Sequence, residues 1–149
     1  FYATLDLQVQ VPAGLPVEIT DSSGDMTLDG TRVVRITDSS GDLVVRDLPV
    51  DVEINDSSGD IRVENAAGLV KVTDSSGDIV VLGARDVLIP SDSSGDIEIE
   101  RVSGSVRIAS SSGSVTFFST SSAEAPGSTV FTTSQLKLIS GSCSRGMPR

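Results

Sequence analysis

Ten aspartates dominate the chemistry open to this chain. They fall in pairs four residues apart: Asp21 and Asp25, Asp38 and Asp42, Asp56 and Asp60, Asp74 and Asp78, Asp92 and Asp96. Carboxylates grouped in this way can hold a hard cation such as Ca²⁺ together with carbonyl oxygens. A carboxylate pair can also do acid–base work on a glycosidic bond. Most other chemistries lack their residues. Histidine is absent, which removes the commonest general base and metal ligand together. Cys143 is the single cysteine, so no internal disulfide framework can form. It reads as a tail thiol without a role, the sharper alternative being an intermolecular disulfide. No phosphate loop, paired-cysteine zinc motif or Gly-x-Ser-x-Gly elbow occurs. Asn55-Asp56-Ser57 fits a glycosylation sequon but lies inside the repeat described next.

Each pair sits in one pentapeptide, Asp-Ser-Ser-Gly-Asp. It begins at Asp21, Asp38, Asp56, Asp74 and Asp92, so that after a first step shorter by one the spacing is constant. A degenerate sixth copy, Ser110-Ser111-Ser112-Gly113-Ser114, follows at the same spacing. Each copy is preceded by an alternating apolar pair: Val17 and Ile19, Val34 and Ile36, Val52 and Ile54, Val70 and Val72, Leu88 and Pro90, Val106 and Ile108. Each is followed by another: Met26 and Leu28, Leu43 and Val45, Ile61 and Val63, Ile79 and Val81, Ile97 and Ile99, Val115 and Phe117. Alternation with period two marks a strand with one buried face. Turn-like residues (Asp29-Gly30, Asp47-Leu48-Pro49, Asn65 to Gly68, Gly83-Ala84) separate the strands.

One such unit is too small to bury a core, but stacked units form continuous apolar columns. The expected fold is therefore all-β: a single-domain β-solenoid of about six coils with an 18-residue repeat, its handedness open. Strands stacked about 4.8 Å apart make it roughly 30 Å long. A left-handed hexapeptide helix is rejected, because Asp60 falls where Ile54 and Val72 would require an aliphatic residue. A sandwich of short strands is the structural alternative, and the strict period counts against it. Residues 1–16, with Leu5, Leu7, Val9 and Val11 alternating, read as an opening strand or cap and a turn ending at Pro12-Ala13-Gly14-Leu15-Pro16. Residues 17–118 form the repeats, 119–139 a loop and closing strands, and 140–149 a mobile tail.

The chain has 149 residues, with 21 acids, 11 bases and a net charge of −10. Without the ten paired aspartates, acids and bases would balance, so the net charge belongs to two stacked columns. Like charges about 4.8 Å apart repel by about 1 kcal/mol in water and more at lower dielectric. The preferred account of what offsets this is an Asx-turn, in which the first Asp accepts backbone N–H bonds completed by Ser and Gly. The alternative is Ca²⁺ held between coils by Asp21, Asp25, Asp38, Asp42, Asp56, Asp60, Asp74, Asp78, Asp92 and Asp96, or cations condensed loosely on them. Nonapeptide β-helices hold Ca²⁺ on a short acidic repeat, but their Gly-Gly-x-Gly-x-Asp pattern is absent here. A second outward column, Glu18, Arg35, Glu53, Lys71, Ile89 and Arg107, largely alternates in sign, as cross-strand pairing prefers.

Repeated Ser-Gly-Asp-Ile/Leu turns follow an opening Val11-Pro12-Ala13-Gly14-Leu15-Pro16-Val17-Glu18-Ile19. Over residues 5 to 118 this resembles the bacterial adhesin-type β-solenoids catalogued as a domain of unknown function. The resemblance implies a β-solenoid in an exported, cell-envelope or extracellular protein, and it brings no catalytic residues. The strict double-Asp loop is this chain's own departure.

The leading expectation is a structural role: a stiff surface rod or filament subunit that self-associates through end edges or terminal strands. The sixth loop, without its Asp residues, would be a degenerate cap or a docking end. The alternative is a monomeric adhesin or binding module, Ca²⁺-loaded or not. Ice binding is a minor third, since Thr20, Thr37, Thr73 and Ser91 form a column broken by Asn55. Catalysis usually needs one uneven site with a tuned pKa; five equivalent pairs suggest no enzyme. The acidic charge disfavours nucleic acid. No apolar run approaches the length of a bilayer-crossing helix, so no membrane-spanning helix is expected. The chain opens on Phe1 without a visible leader, which suggests a processed or trimmed product.

Overall fold

The computed structural model describes the backbone of residues 6–119, 129–132 and 136–140, and the side chains of residues 6–118. Twelve strands follow in order: β1 (Val17–Thr20), β2 (Met26–Asp29), β3 (Val33–Thr37), β4 (Leu43–Leu48), β5 (Val52–Asn55), β6 (Ile61–Thr73), β7 (Ile79–Asp92), β8 (Ile97–Val102), β9 (Val106–Ser110), β10 (Val115–Ser119), β11 (Thr129–Thr132) and β12 (Leu136–Ser140). All their pairings are parallel. Each strand bonds to its equivalent in the next coil, commonly one full repeat on: Leu43 to Ile61, Ile61 to Ile79, Ile79 to Ile97. This is a parallel β-solenoid of about six turns. The antiparallel pairing of a sandwich is not found among the described residues.

Two strand stacks enclose the core. One runs β1, β3, β5, the second half of β6, the second half of β7, β9 and β11. The other runs β2, β4, the first halves of β6 and β7, β8, β10 and β12. Their inward side chains form columns, among them Leu43, Ile61, Ile79, Ile97 and Val115, and Val45, Val63, Val81 and Ile99, all essentially inaccessible. Burying an aliphatic side chain of this size stabilises by about 1.5–3 kcal/mol. The Asp-Ser-Ser-Gly loop makes one corner of each coil. The other corner is made by Gly30, Asp47, Asn65, Gly83 and Arg101, each at positive φ. Asp and Asn tolerate this region better than most residues, and Asn65 Nδ2 donates to Asp47 Oδ1 at 3.2 Å. Arg101 holds it without such a preference.

The structure corrects the alternation in three places. Val33, not Val34, is buried, because β3 takes an extra residue between Val17↔Val33 and Glu18↔Arg35. Val87 and Ile89, not Leu88 and Pro90, face the core. β7 is one residue short through its corner (Ala66↔Ala84, then Leu69↔Asp86) and regains it before Thr73↔Ser91. Pro90 sits exposed at that irregularity, where a residue without an N–H breaks no ladder bond. The charged column therefore contains Leu88, not Ile89: Lys71 pairs with Leu88, and Leu88 with Arg107.

The opening strand is also corrected. Residues 6–16 belong to no strand; Leu7 and Val9 are 77% and 68% exposed. Alternation needs an edge to pair with, and Pro12 and Pro16 supply no donor. The expected turn does form, at Ala13-Gly14, where Leu15 N–H donates to the Pro12 carbonyl at 3.4 Å. The closing strands expected within 119–139 are β11 and β12; most of the loop before them, the 141–149 tail and Cys143 lie outside the described residues. The sixth loop does not end the stack, since β11 and β12 form a further layer on β9 and β10. Among the described residues, no helix is long and apolar enough to cross a membrane.

Candidate functional site

The pentapeptide loops stack directly on one another, and each position in them has a distinct task. The first Asp turns inward. Asp38, Asp56, Asp74 and Asp92 are buried, and Asp21, in the end coil, is half-buried. Oδ1 of Asp38 accepts the N–H groups of Ser39 (2.7 Å) and Ser40 (3.3 Å). Asp56 does the same with Ser57 and Ser58 at 2.7 and 3.3 Å, and Asp74 with Ser75 and Ser76 at 2.6 and 3.2 Å. These are the bonds an Asx-turn requires.

The second Ser links coils. Ser40 Oγ donates to the Ser22 carbonyl (3.2 Å), Ser58 to Ser39 (3.1 Å), Ser76 to Ser57 (3.2 Å), Ser94 to Ser75 (3.3 Å) and Ser112 to Ser93 (2.7 Å). The Gly permits both the turn and the stacking. Gly77 has φ +134°, and a Cβ there would collide with the Gly59 carbonyl of the preceding coil. The last Asp faces outward and is exposed. Its Oδ1 accepts the N–H of the equivalent residue one coil on: Asp42 to Asp25 at 3.1 Å, Asp60 to Asp42 at 3.2 Å, Asp78 to Asp60 at 3.0 Å, Asp96 to Asp78 at 2.8 Å. Ser114 N–H completes the ladder on Asp96 at 2.8 Å.

The ten predicted carboxylates therefore lie in two columns, an inner and an outer, and both use an oxygen on the backbone. Burial pushes three of the inner ones up. Asp74 rises to about 6, mainly through loss of water, with Asp56 and Asp92 adding repulsion and the Ser75 and Ser76 N–H groups opposing it. Asp56 and Asp92 rise for the same first reason. Among the described residues, no three Asp, Glu or Cys side chains converge as a metal cage would require. The threonine column is in register, Thr20, Thr37, Asn55, Thr73, Ser91, with Asn55 interrupting it.

The charged column pairs as expected at its centre: Glu53 meets Arg35 at 3.2 Å and Lys71 at 2.6 Å. Lys71 first, then Arg35, hold the Glu53 carboxyl below its usual range. Such exposed pairs contribute about 0–1 kcal/mol each and chiefly favour register. Two structural carboxylates escape a reading by repeat. Asp51 Oδ1 accepts the Leu69 N–H at 2.7 Å, and Asp86 Oδ1 accepts the Ser105 N–H at 2.8 Å. Gly68 and Gly104 lie against them, where a Cβ would strike each carboxylate. The Asp…Gly spacing from 51 to 68 and from 86 to 104 was the available signal.

Parallel coils locked by a turn ladder define the class: an all-β solenoid. The chain belongs to the Toastrack DUF4097 family, whose profile matches residues 6–124. That match agrees with the likeness drawn from the Ser-Gly-Asp turns. No curated protein and no solved structure matches the chain.

Proposed function

We propose that this chain is a non-catalytic structural solenoid of the bacterial cell surface or extracellular space, which self-associates end to end. The observation that carries this reading is the state of the first coil. Among the described residues, β1 and β2 each pair on one edge alone. Val17, Ile19, Met26 and Leu28 pack on the core but are only partly buried, whereas their equivalents in the middle coils are sealed. Unpaired edges over a half-covered core favour strand addition. The far end repeats the geometry, since β11 and β12 each pair on one edge among the described residues. Head-to-tail contacts of this kind give open fibres where the rotation between copies does not close a ring. Support for a non-catalytic role comes from the repetition of the carboxylates and their use in backbone hydrogen bonds.

A monomeric adhesin or binding module is the second reading. Residues 9–15 lie beside the Asp29–Arg32 corner and line a cavity of about 490 Å³ with it. A segment covering part of the end coil favours a capped monomer.

Edge-blocking variants separate the two. Val17 and Asp21 N–H groups donate to Arg32 and Thr37 of the next coil at 3.0 and 2.9 Å, and Met26 to Asp42 at 2.8 Å. Alternate N–H groups point to opposite edges of a strand, so those of Glu18 and Thr27 face the open end. Proline at both positions removes free-edge donors while sparing the bonds to the next coil. Sedimentation velocity should show wild-type oligomers growing with concentration and Glu18→Pro/Thr27→Pro remaining monomeric. Wild-type protein that stays monomeric throughout would overturn the proposal in favour of the second reading.

A further inference from the structure

The inner aspartates carry more than their turns require. Asp38, Asp56, Asp74 and Asp92 stack in consecutive coils and are no more than 6% exposed. In each, one carboxyl oxygen is buried without a hydrogen-bond partner: Oδ2 of Asp38, Asp56 and Asp74, and Oδ1 of Asp92. A buried acceptor left unsatisfied is costly, and here the same cost recurs in four consecutive coils. Neighbouring carboxylates can satisfy one another only if some of them carry protons, since an ionised carboxylate has no donor.

The end of the column shows a hydroxyl reaching the carboxylate of the adjoining coil, on the oxygen opposite the unpartnered Oδ1 of Asp92. In the sixth coil Ser110 stands in the Asp position, paired in register with Asp92. Its hydroxyl donates to Asp92 Oδ2 at 2.7 Å, a buried bond between adjacent coils. A protonated aspartate at the same position has an O–H of similar reach. Where the sequence supplies a permanent hydroxyl, the carboxylate below takes it.

We propose that the inner column is a proton-binding ladder: the folded solenoid retains protons on members of the Asp56, Asp74 and Asp92 series, and each carboxyl O–H bridges to a carboxyl oxygen of an adjoining coil as the Ser110 hydroxyl bridges to Asp92. Mild acid then tightens the stack, and loss of these protons loosens it. The charges bearing on the column are all negative: Asp38 on Asp56, Asp56 and Asp92 on Asp74, and the outer Asp78 on Asp92. The residues preceding each inner aspartate (Thr37, Asn55, Thr73 and Ser91) and the serines following it are uncharged.

The direction follows from linkage. Asp74 sits near 3.8 when unfolded and about 6 when folded. Its contribution is fully present below the lower value and is lost as pH rises through the upper one. Glu53, Glu64 and Asp86, held low by their partners, act oppositely and lose stability on acidification through the ordinary carboxylate range. Together they place the stability maximum near pH 5, roughly.

Carboxyl-carbon NMR titration of the folded protein tests this directly, alongside thermal unfolding at about pH 5 and about pH 7.5. At least one inner aspartate should titrate above about pH 5.5, outside the ordinary carboxylate range. The wild-type Tm should fall by about 3 °C or more between the two conditions. Asp74→Asn, whose amide N–H is a permanent donor, should remove most of that fall and raise Tm at the higher pH. The exposed Asp78→Asn should leave the fall in place. The proposal is overturned if all inner carboxyls titrate near 4, or if Asp74→Asn lowers Tm equally at both pH values. Ca²⁺ that raises the wild-type Tm at the higher pH, but not that of Asp74→Asn, would equally overturn it. If Asp74→Asn does not fold, the wild-type titration alone decides.

Discussion

Gly77→Ala is expected to cost about 4 kcal/mol or more, a large part of the roughly 5–15 kcal/mol that holds a typical domain together. Two effects combine at this position. Gly77 has φ +134°, a region that L side chains rarely adopt, and a Cβ there would meet the Gly59 carbonyl oxygen one coil away. That oxygen belongs to the backbone, so relief requires the coils to separate and give up inter-coil bonds such as Gly59 N–H to the Ser76 carbonyl (3.2 Å) and Asp78 N–H to Asp60 (3.0 Å). Gly24→Ala isolates the first effect. Gly24 lies in the end coil at φ +112° with nothing within 4 Å of its would-be Cβ, so only the backbone strain of about 1–3 kcal/mol applies. Denaturant unfolding of both variants measures the difference, which is the stacking contribution. Equal losses would mean that the coils are not packed as tightly as the glycine column requires.

Ile79→Ala should be the next largest, destabilising by about 2–5 kcal/mol. Ile79 is inaccessible, at the centre of a column between Ile61 and Ile97. Strand hydrogen bonds fix the spacing of the coils on both sides, so neighbours cannot close the void and the cavity term persists. Met26→Ala, the same column's position in the end coil, should cost less. Met26 is only partly buried and has a neighbour on one side alone, Leu43. The ratio of the two losses, read by urea unfolding, reports whether the core is a set of continuous columns. If self-association covers the first coil, the Met26→Ala loss should grow with protein concentration.

Much of this architecture was legible in the sequence because each coil repeats the same solution. The regular period, the inward aliphatic pairs and the Asx-turn loops all follow from residues whose chemistry admits few alternatives. What escaped lies where the period bends. One corner, around Asp86, and two strands, at Val33-Val34 and at Pro90, gain or lose a residue, and a one-residue slip moves side chains to the opposite face. Alternation at Leu7, Val9 and Val11 predicted a strand, but residues 6–16 leave the open edges of β1 and β2 unpaired, which local pattern does not encode. The two aspartate columns were visible as spacing. Their unequal environments were not, since only the stacked fold shows that the first Asp of each loop turns into the core and the last turns out. The Ser110 hydroxyl on Asp92 acquires meaning only once the register between β7 and β9 is known.

The most direct test of the structural role is negative-stain electron microscopy of purified protein across a concentration series, with Ca²⁺ and with chelator. Unbranched fibres that lengthen with concentration are expected under both conditions, because the loops are joined by hydrogen bonds and strand edges. Monodisperse particles at every concentration would contradict end-to-end assembly, and fibres that vanish in chelator would make the aspartate columns metal sites.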